Sequence, residues 1–237
     1  MTEQLTTITF LVVLLLVVWQ LLRLIKACRR ANRVDWGSGW MNLLDGLNRL
    51  FCYRYHRLNV LGLRIPKQGP FILASNHISG LDPFLILASA RRPVRFLIAR
   101  EQYERFGLKW LFRAAKCIPV DRESRPDRAL RAAIKSLQDG HVVALFPHGK
   151  IHTVDDPPIQ IKPGVALLAK LAKVDILPMR ISGVSGVGHV IRGVFLRSSA
   201  QIDSFPIVEV EGCDRKEVLQ KLQQVLDGAA TCRSSPL

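Results

Sequence analysis

The chain has 237 residues, 49% of them hydrophobic, and a formal net charge of +15. That length and apolar fraction suit one domain of ordinary size plus a membrane segment, and the basic excess calls for an anionic partner: nucleic acid, an acidic membrane surface or a phosphorylated substrate. The sequence holds no nucleic-acid-binding motif, and its five cysteines (Cys28, Cys52, Cys117, Cys213, Cys232) are odd in number and lack C-x-x-C spacing, which argues against a disulfide framework or a thiolate zinc site.

Residues 5–25 contain an unbroken apolar run at 10–19, followed closely by Arg23, Lys26, Arg29, Arg30 and Arg33. As a helix this stretch is about 30 Å long at roughly 1.5 Å per residue, enough to cross a hydrocarbon core. Only Glu3 charges the N-terminal flank, so the positive-inside rule puts the following residues in the cytoplasm. A cleavable signal peptide would need basic residues before the run and small residues at a cleavage site, and neither is present. Residues 36–54 predict a second helix, with Trp40, Leu43, Leu44, Leu47, Leu50 and Phe51 on one face and Asn42, Asp45, Asn48 and Arg49 on the other. Its place after a membrane segment, with Trp36 and Trp40 at its start, favours an interfacial helix over an ordinary core-facing one. Residues 1–54 are therefore expected to form a membrane-anchoring two-helix segment.

From residue 55 the pattern changes to alternating strands and helices. Strands are expected at 58–65, 71–74, 94–99, 117–120, 142–146, 176–181 and 206–210. Helices are expected at 82–90, 108–115, 127–139, 164–173 and 214–226, the last with Asp214 and Glu217 spaced as a capping box. This alternation predicts an α/β fold, a mixed sheet with flanking helices, over residues 55–228. The tail at 229–237 shows no pattern and is expected to be disordered.

The stretch Phe71-Ile72-Leu73-Ala74-Ser75-Asn76-His77-Ile78-Ser79-Gly80-Leu81-Asp82-Pro83-Phe84 carries the chemistry. A buried strand ends at Ser75-Asn76-His77, and a helix opens at Asp82-Pro83. A tight loop between them can bring imidazole and carboxylate together, and a neutral histidine held by a carboxylate is a general base. Asp-Pro is also an ordinary helix start, with Asp as N-cap and Pro at the first helical position.

The string Asn-His-x-x-x-x-Asp after an apolar strand resembles the signature of the glycerolipid acyltransferases. Three further segments fall in that family's order. Pro119-Val120-Asp121-Arg122 matches a strand whose closing arginine, in the family, binds the acceptor's phosphate. Phe146-Pro147-His148-Gly149-Lys150-Ile151-His152 stands where the family usually has Phe-Pro-Glu-Gly-Thr-Arg-Ser, so His148 replaces the glutamate and Ile151 the arginine, with Lys150 one residue earlier able to supply a charge. Lys162-Pro163-Gly164 and Ile176-Leu177-Pro178 match a helix start and a proline-bearing strand.

The resemblance covers roughly residues 58–182. It implies a membrane-bound O-acyltransferase that moves a fatty acyl group from acyl-CoA or acyl carrier protein to a lysophospholipid hydroxyl, with lysophosphatidic acid the first-choice acceptor. His77 and Asp82 are the implied catalytic pair, and Arg122, His148, Gly149 and Lys150 the implied substrate contacts. An anionic membrane is the implied surface, with the catalytic domain on its cytoplasmic side, and no cofactor or metal is implied. Two other readings stay open: a different lysolipid acceptor, and a non-catalytic membrane-lipid-binding protein on the same fold. His148 and His152 are four apart, but Pro147-His148-Gly149 reads as a loop rather than a helix, which argues against a metal site there.

Overall fold

The computed structural model describes residues 2–62, 65–105, 107–121, 126–153, 156–157 and 159–228. The expected disordered tail at 229–237 lies outside the described residues. The first helix, α1 (Thr2–Ala31), is long and apolar enough to cross a membrane. Its side chains are exposed along almost the whole length and only Cys28 is buried. The hydroxyls of Thr6, Thr7 and Thr9 donate back to carbonyls of Glu3 and Leu5 at 2.8–2.9 Å, so these three hydroxyl protons need no solvent.

Helix α2 (Gly39–Leu50) starts three residues later than the sequence predicts and widens at its end into one π turn, Phe51–Tyr55. It crosses α1 at close range. A Cβ on Gly46 would lie 1.9 Å from the carbonyl oxygen of Cys28, so only glycine fits this crossing. Two residues of the polar face, Asp45 and Arg49, are buried. Their side chains pair at 2.6 Å, and the Arg49 guanidinium donates to the carbonyls of Ala88, at 2.6 Å, and of Ala90. Those carbonyls end helix α3 (Asp82–Ser89), and the last carbonyls of any helix need outside donors. A charged pair on the polar face thus fastens α2 to α3.

The seven strands are β1 (Asn59–Leu61), β2 (Phe71–Ser75), β3 (Val94–Ala99), β4 (Ile118–Val120), β5 (Val142–Leu145), β6 (Ile176–Ser182) and β7 (Gln201–Ser204). They form one sheet in the order β1-β7-β6-β2-β5-β3-β4. Strands β4, β3, β5, β2 and β6 are mutually parallel, while β7 runs antiparallel to β6 and pairs with β1 in parallel. The mixed sheet with flanking helices is as expected. Strands buried on both faces need no polar alternation, and β2 illustrates this. Ile72 and Ala74 face a core with α6 (Pro126–Gln138), α7 (Gly164–Ala172) and α9 (Arg215–Leu226), while Leu73 faces a second core with α3.

Several elements depart from expectation. The strand expected at 206–210 is instead β7, and Val208 makes only an isolated bridge to Ile176. Gln201-Ile202-Asp203-Ser204 reads as polar, but Asp203 is buried with its carboxylate accepting from Gln201 Nε2 at 2.8 Å. Pro206, by contrast, has no N–H to give a ladder. The strand expected at 58–65 is shorter, and part of that range lies outside the described residues. Two short helices, α4 (Arg100–Tyr103) and α8 (Arg192–Phe195), join α5 (Lys109–Ala114) among the connections. At the start of α9, Asp214 accepts from Arg215 N, and Glu217 pairs with Lys221 at 2.7 Å rather than closing a capping box.

Candidate active site

The five parallel strands end at one edge of the sheet, the edge where open α/β sheets bind ligands. Strand β2 delivers Asn76 and His77 to it. Asn76 is locked to β6, its Oδ1 accepting from Ile181 N at 2.7 Å and its Nδ2 donating to Ile181 O at 2.9 Å. This pairing continues the β2–β6 ladder past its end and fixes where the next residue leaves the sheet.

That next residue is His77. Its Nδ1 lies 2.8 Å from Asp82 Oδ2. The same oxygen accepts from the backbone N–H of Ile78 at 2.7 Å and of Ser79 at 2.9 Å. Asp82 is fully buried and is the first residue of α3, with Leu81 at the cap position. Its carboxylate therefore does not cap its own helix. It turns back to hold the loop and the imidazole, which is the arrangement a catalytic dyad needs and an ordinary Asp-Pro helix start does not.

With Nδ1 assigned as the donor to this carboxylate, Nε2 carries the ring's lone pair. Among the described residues Nε2 makes no hydrogen bond, and the His77 side chain is 19% exposed, so Nε2 is open to a substrate. The ring stacks on Phe146 with centroids 4.1 Å apart. The His77 carbonyl accepts from His152 N at 2.7 Å, which ties the β2 loop to the β5 loop.

The β5 loop turns tightly, with Gly149 N donating to Phe146 O at 2.9 Å and Gly149 at a φ of 77°. A Cβ there would be strained and would lie 2.9 Å from Lys162 Nζ. The turn thus brings the Lys162 amine beside Gly149, a placement the sequence did not announce. Lys150 is exposed. Arg122, expected to bind phosphate, lies outside the described residues; the strand leading to it, β4, ends at this same edge of the sheet.

His148 is buried, and neither ring nitrogen is hydrogen-bonded. Its Nε2 lies 3.4 Å from Asp227 Oδ1 without hydrogen-bond geometry, and its ring centroid is 5.3 Å from that of His152. Two effects oppose each other. Burial disfavours the imidazolium, while Asp227 favours it. Asp227 is 42% exposed, so water screens its pull, burial wins, and His148 is held below the ordinary imidazole value of 6.5. The residue that replaces the family's glutamate thus favours the neutral ring more than an ordinary imidazole does. Among the described residues no group of three or more His, Cys, Asp or Glu is placed to hold a metal ion.

The sign of the pH dependence follows. A histidine whose value is lowered by folding takes up a proton more readily when unfolded. Stability is therefore unaffected above about pH 6.5 and falls as the pH drops below it. Burial lowers His56 and His141 in the same direction. Thermal unfolding of wild type should shift to lower temperature between neutral and mildly acidic buffer, and His148→Asn should flatten that slope. A slope unchanged by His148→Asn would contradict the assignment.

The Acyltransferase family model matches residues 57–182, more than half of the chain. The chain belongs to this family. A 1-acyl-sn-glycerol-3-phosphate acyltransferase of Streptococcus pneumoniae is 32% identical over 124 residues, covering 51% of this chain and 45% of the relative. One of Bacillus subtilis is 26% identical over 123 residues, covering 51% and 60%. An N-acylphosphatidylethanolamine synthase of Arabidopsis thaliana is 30% identical over 124 residues, covering 48% and 43%. The chain thus spans about half the length of the curated relatives it matches. The crystal structure of the 1-acyl-sn-glycerophosphate acyltransferase PlsC from Thermotoga maritima superimposes with a TM-score of 0.64 at 24% identity, covering 83% of each chain. At that identity the likeness shows a shared acyltransferase fold. The family match contains His77, Asp82 and the whole β5 loop.

Proposed function

We propose that this acyltransferase moves a fatty acyl group from a thioester, acyl-CoA or acyl carrier protein, to the free hydroxyl of lysophosphatidic acid, giving phosphatidic acid. The observation that carries this reading is the His77–Asp82 pair, with Nδ1 held at 2.8 Å and Nε2 open. Nε2 takes the proton of the acceptor hydroxyl as its oxygen attacks the thioester carbonyl. Asp82 keeps the tautomer and stabilises the imidazolium that forms. The carbonyl re-forms as the C–S bond breaks, and the proton passes from Nε2 to the departing thiolate. No acyl-enzyme intermediate is needed, so the scheme asks for no serine or cysteine nucleophile and no cofactor. Helix α1 holds the chain in the membrane where both lipids reside, with the site on the cytoplasmic side, in keeping with the basic cluster after the apolar run.

A second reading changes only the acceptor headgroup. It is favoured by the neutral His148 and by Ile151 at positions where the family has charge, and by a relative whose name specifies a different product. On the first reading, Lys150 and Lys162 supply cations near the loop, and Arg122 is the phosphate contact that the family resemblance implies. A competition among lysolipids on wild type and Lys150→Ala separates the two. One charge-assisted contact is worth about 1.5–3 kcal/mol, so Lys150→Ala should lower kcat/KM for lysophosphatidic acid by about tenfold or more, with a smaller effect on uncharged acceptors. Unchanged use of lysophosphatidic acid would remove Lys150 from the site. A wild-type preference for an acceptor without phosphate would establish the second reading.

A further inference from the structure

The carboxyl end of β6 runs into a segment at 183–199 that the reaction scheme does not use. Within it Val187, Val190, Ile191, Phe195 and Leu196 are all exposed, Phe195 at 71% and Ile191 at 57%. A water-facing surface rarely gathers so many large apolar side chains in ten residues. The segment is not a loose flap. Gly188 N donates to Ile78 O at 2.9 Å, and a Cβ on Gly80 would lie 2.0 Å from Val190 O. A Cβ on Gly193 would lie 1.8 Å from Ser79 Oγ. On its other side Tyr55 Oη donates to Phe195 O at 2.5 Å, and His56 Nε2 lies 3.2 Å from Val194 O. The apolar surface is therefore fastened to the Ile78–Gly80 loop that grips Asp82. Residues 183–199 include Arg192 and Arg197 and no Asp or Glu, and Arg54 and Arg57 are exposed next to the Tyr55–His56 attachment.

We propose that residues 187–196 are a second membrane contact, which sinks Ile191 and Phe195 into the headgroup–acyl boundary of an anionic bilayer and seats the mouth of the His77 site on the lipid surface. Apolar side chains rimmed by arginine suit that boundary, the first entering the acyl region and the second meeting anionic headgroups. An acidic protein would satisfy the arginines alone. The bilayer is favoured because α1 is long and apolar enough to cross one, and with α1 inserted the second contact forms within one tethered molecule and needs little intrinsic affinity. The purpose of this contact rests on the acyl-transfer reading; the contact itself does not.

The test uses the full chain in vesicles of phosphatidylethanolamine and phosphatidylglycerol, with acyl carrier protein added. Phe195 is replaced by photoreactive p-benzoylphenylalanine, and a control carries the same replacement at Lys216, exposed at the start of α9. After illumination the adducts are identified by mass. Lipid adducts at 195 should exceed those at 216 several-fold. Equal lipid adducts at the two sites, or adducts at 195 formed chiefly on acyl carrier protein, would overturn the proposal. Because the readout is adduct mass rather than turnover, a failed contact and a failed acyl-transfer reading are told apart.

Discussion

His77→Ala should lower acyl transfer by at least about a hundredfold, the usual loss when a positioned general base is removed, while leaving the protein folded. The second half of that expectation comes from the loop. Asp82 Oδ2 keeps its bonds from Ile78 N and Ser79 N when the ring is gone, and Asn76 keeps both bonds to Ile181. The His77 carbonyl that accepts from His152 is backbone and survives the substitution. Asp82→Asn separates charge from geometry. Oδ2 carries all three contacts while Oδ1 is buried with no partner among the described residues, so an amide oxygen can take over the accepting role. The variant should keep the loop and lose the anion that stabilises the imidazolium. Turnover by Asp82→Asn should therefore fall with little change in KM for the acceptor. Near-normal turnover by a folded His77→Ala protein would rule out the mechanism.

Arg49→Ala should produce a large loss of stability. It strands Asp45 as a buried carboxylate and removes the donor to the carbonyls of Ala88 and Ala90. Breaking a buried ion pair from one side costs about 3–5 kcal/mol, because the remaining charge is uncompensated. The remaining contacts to Asp45 are weak: Arg33 N at 3.3 Å and Trp36 Nε1 at 3.4 Å. Adding Asp45→Asn to Arg49→Ala should recover part of the loss, since the buried charge is then gone. Thermal unfolding in detergent reads both effects. Equal stability of Arg49→Ala and wild type would mean the pair contributes nothing to docking α2 on α3.

The sequence placed β2, β3, β5, β6 and α3 well because burial on both faces leaves near-continuous apolar runs with sharp polar ends. It failed at β7, where Ile202 is the one apolar residue in four and Asp203 is buried on a neighbour's amide. At α2 the periodicity gave the two faces, but it carries no sign that Asp45 and Arg49 on the polar face are buried. Whether a charge meets water or a helix terminus depends on a neighbour distant in the chain, here the end of α3. At the site, the His77–Asp82 spacing was legible because strand end, short loop and helix start leave little freedom. The approach of Lys162 to Gly149 was not, since it depends on how two loops far apart in sequence pack together. The unpaired buried state of His148 was equally hidden, because the end of α9 sets it.

The most direct measurement of the central claim follows an isotopically labelled acyl thioester and lysophosphatidic acid over the membrane-reconstituted full chain, recording free thiol and diacyl product together. The account predicts that thiol and phosphatidic acid appear in equal amounts with wild type, and that His77→Ala abolishes both in parallel. If folded, membrane-bound wild type releases no thiol and acylates no lysolipid offered, the chain does not catalyse acyl transfer and uses its fold to hold lipid.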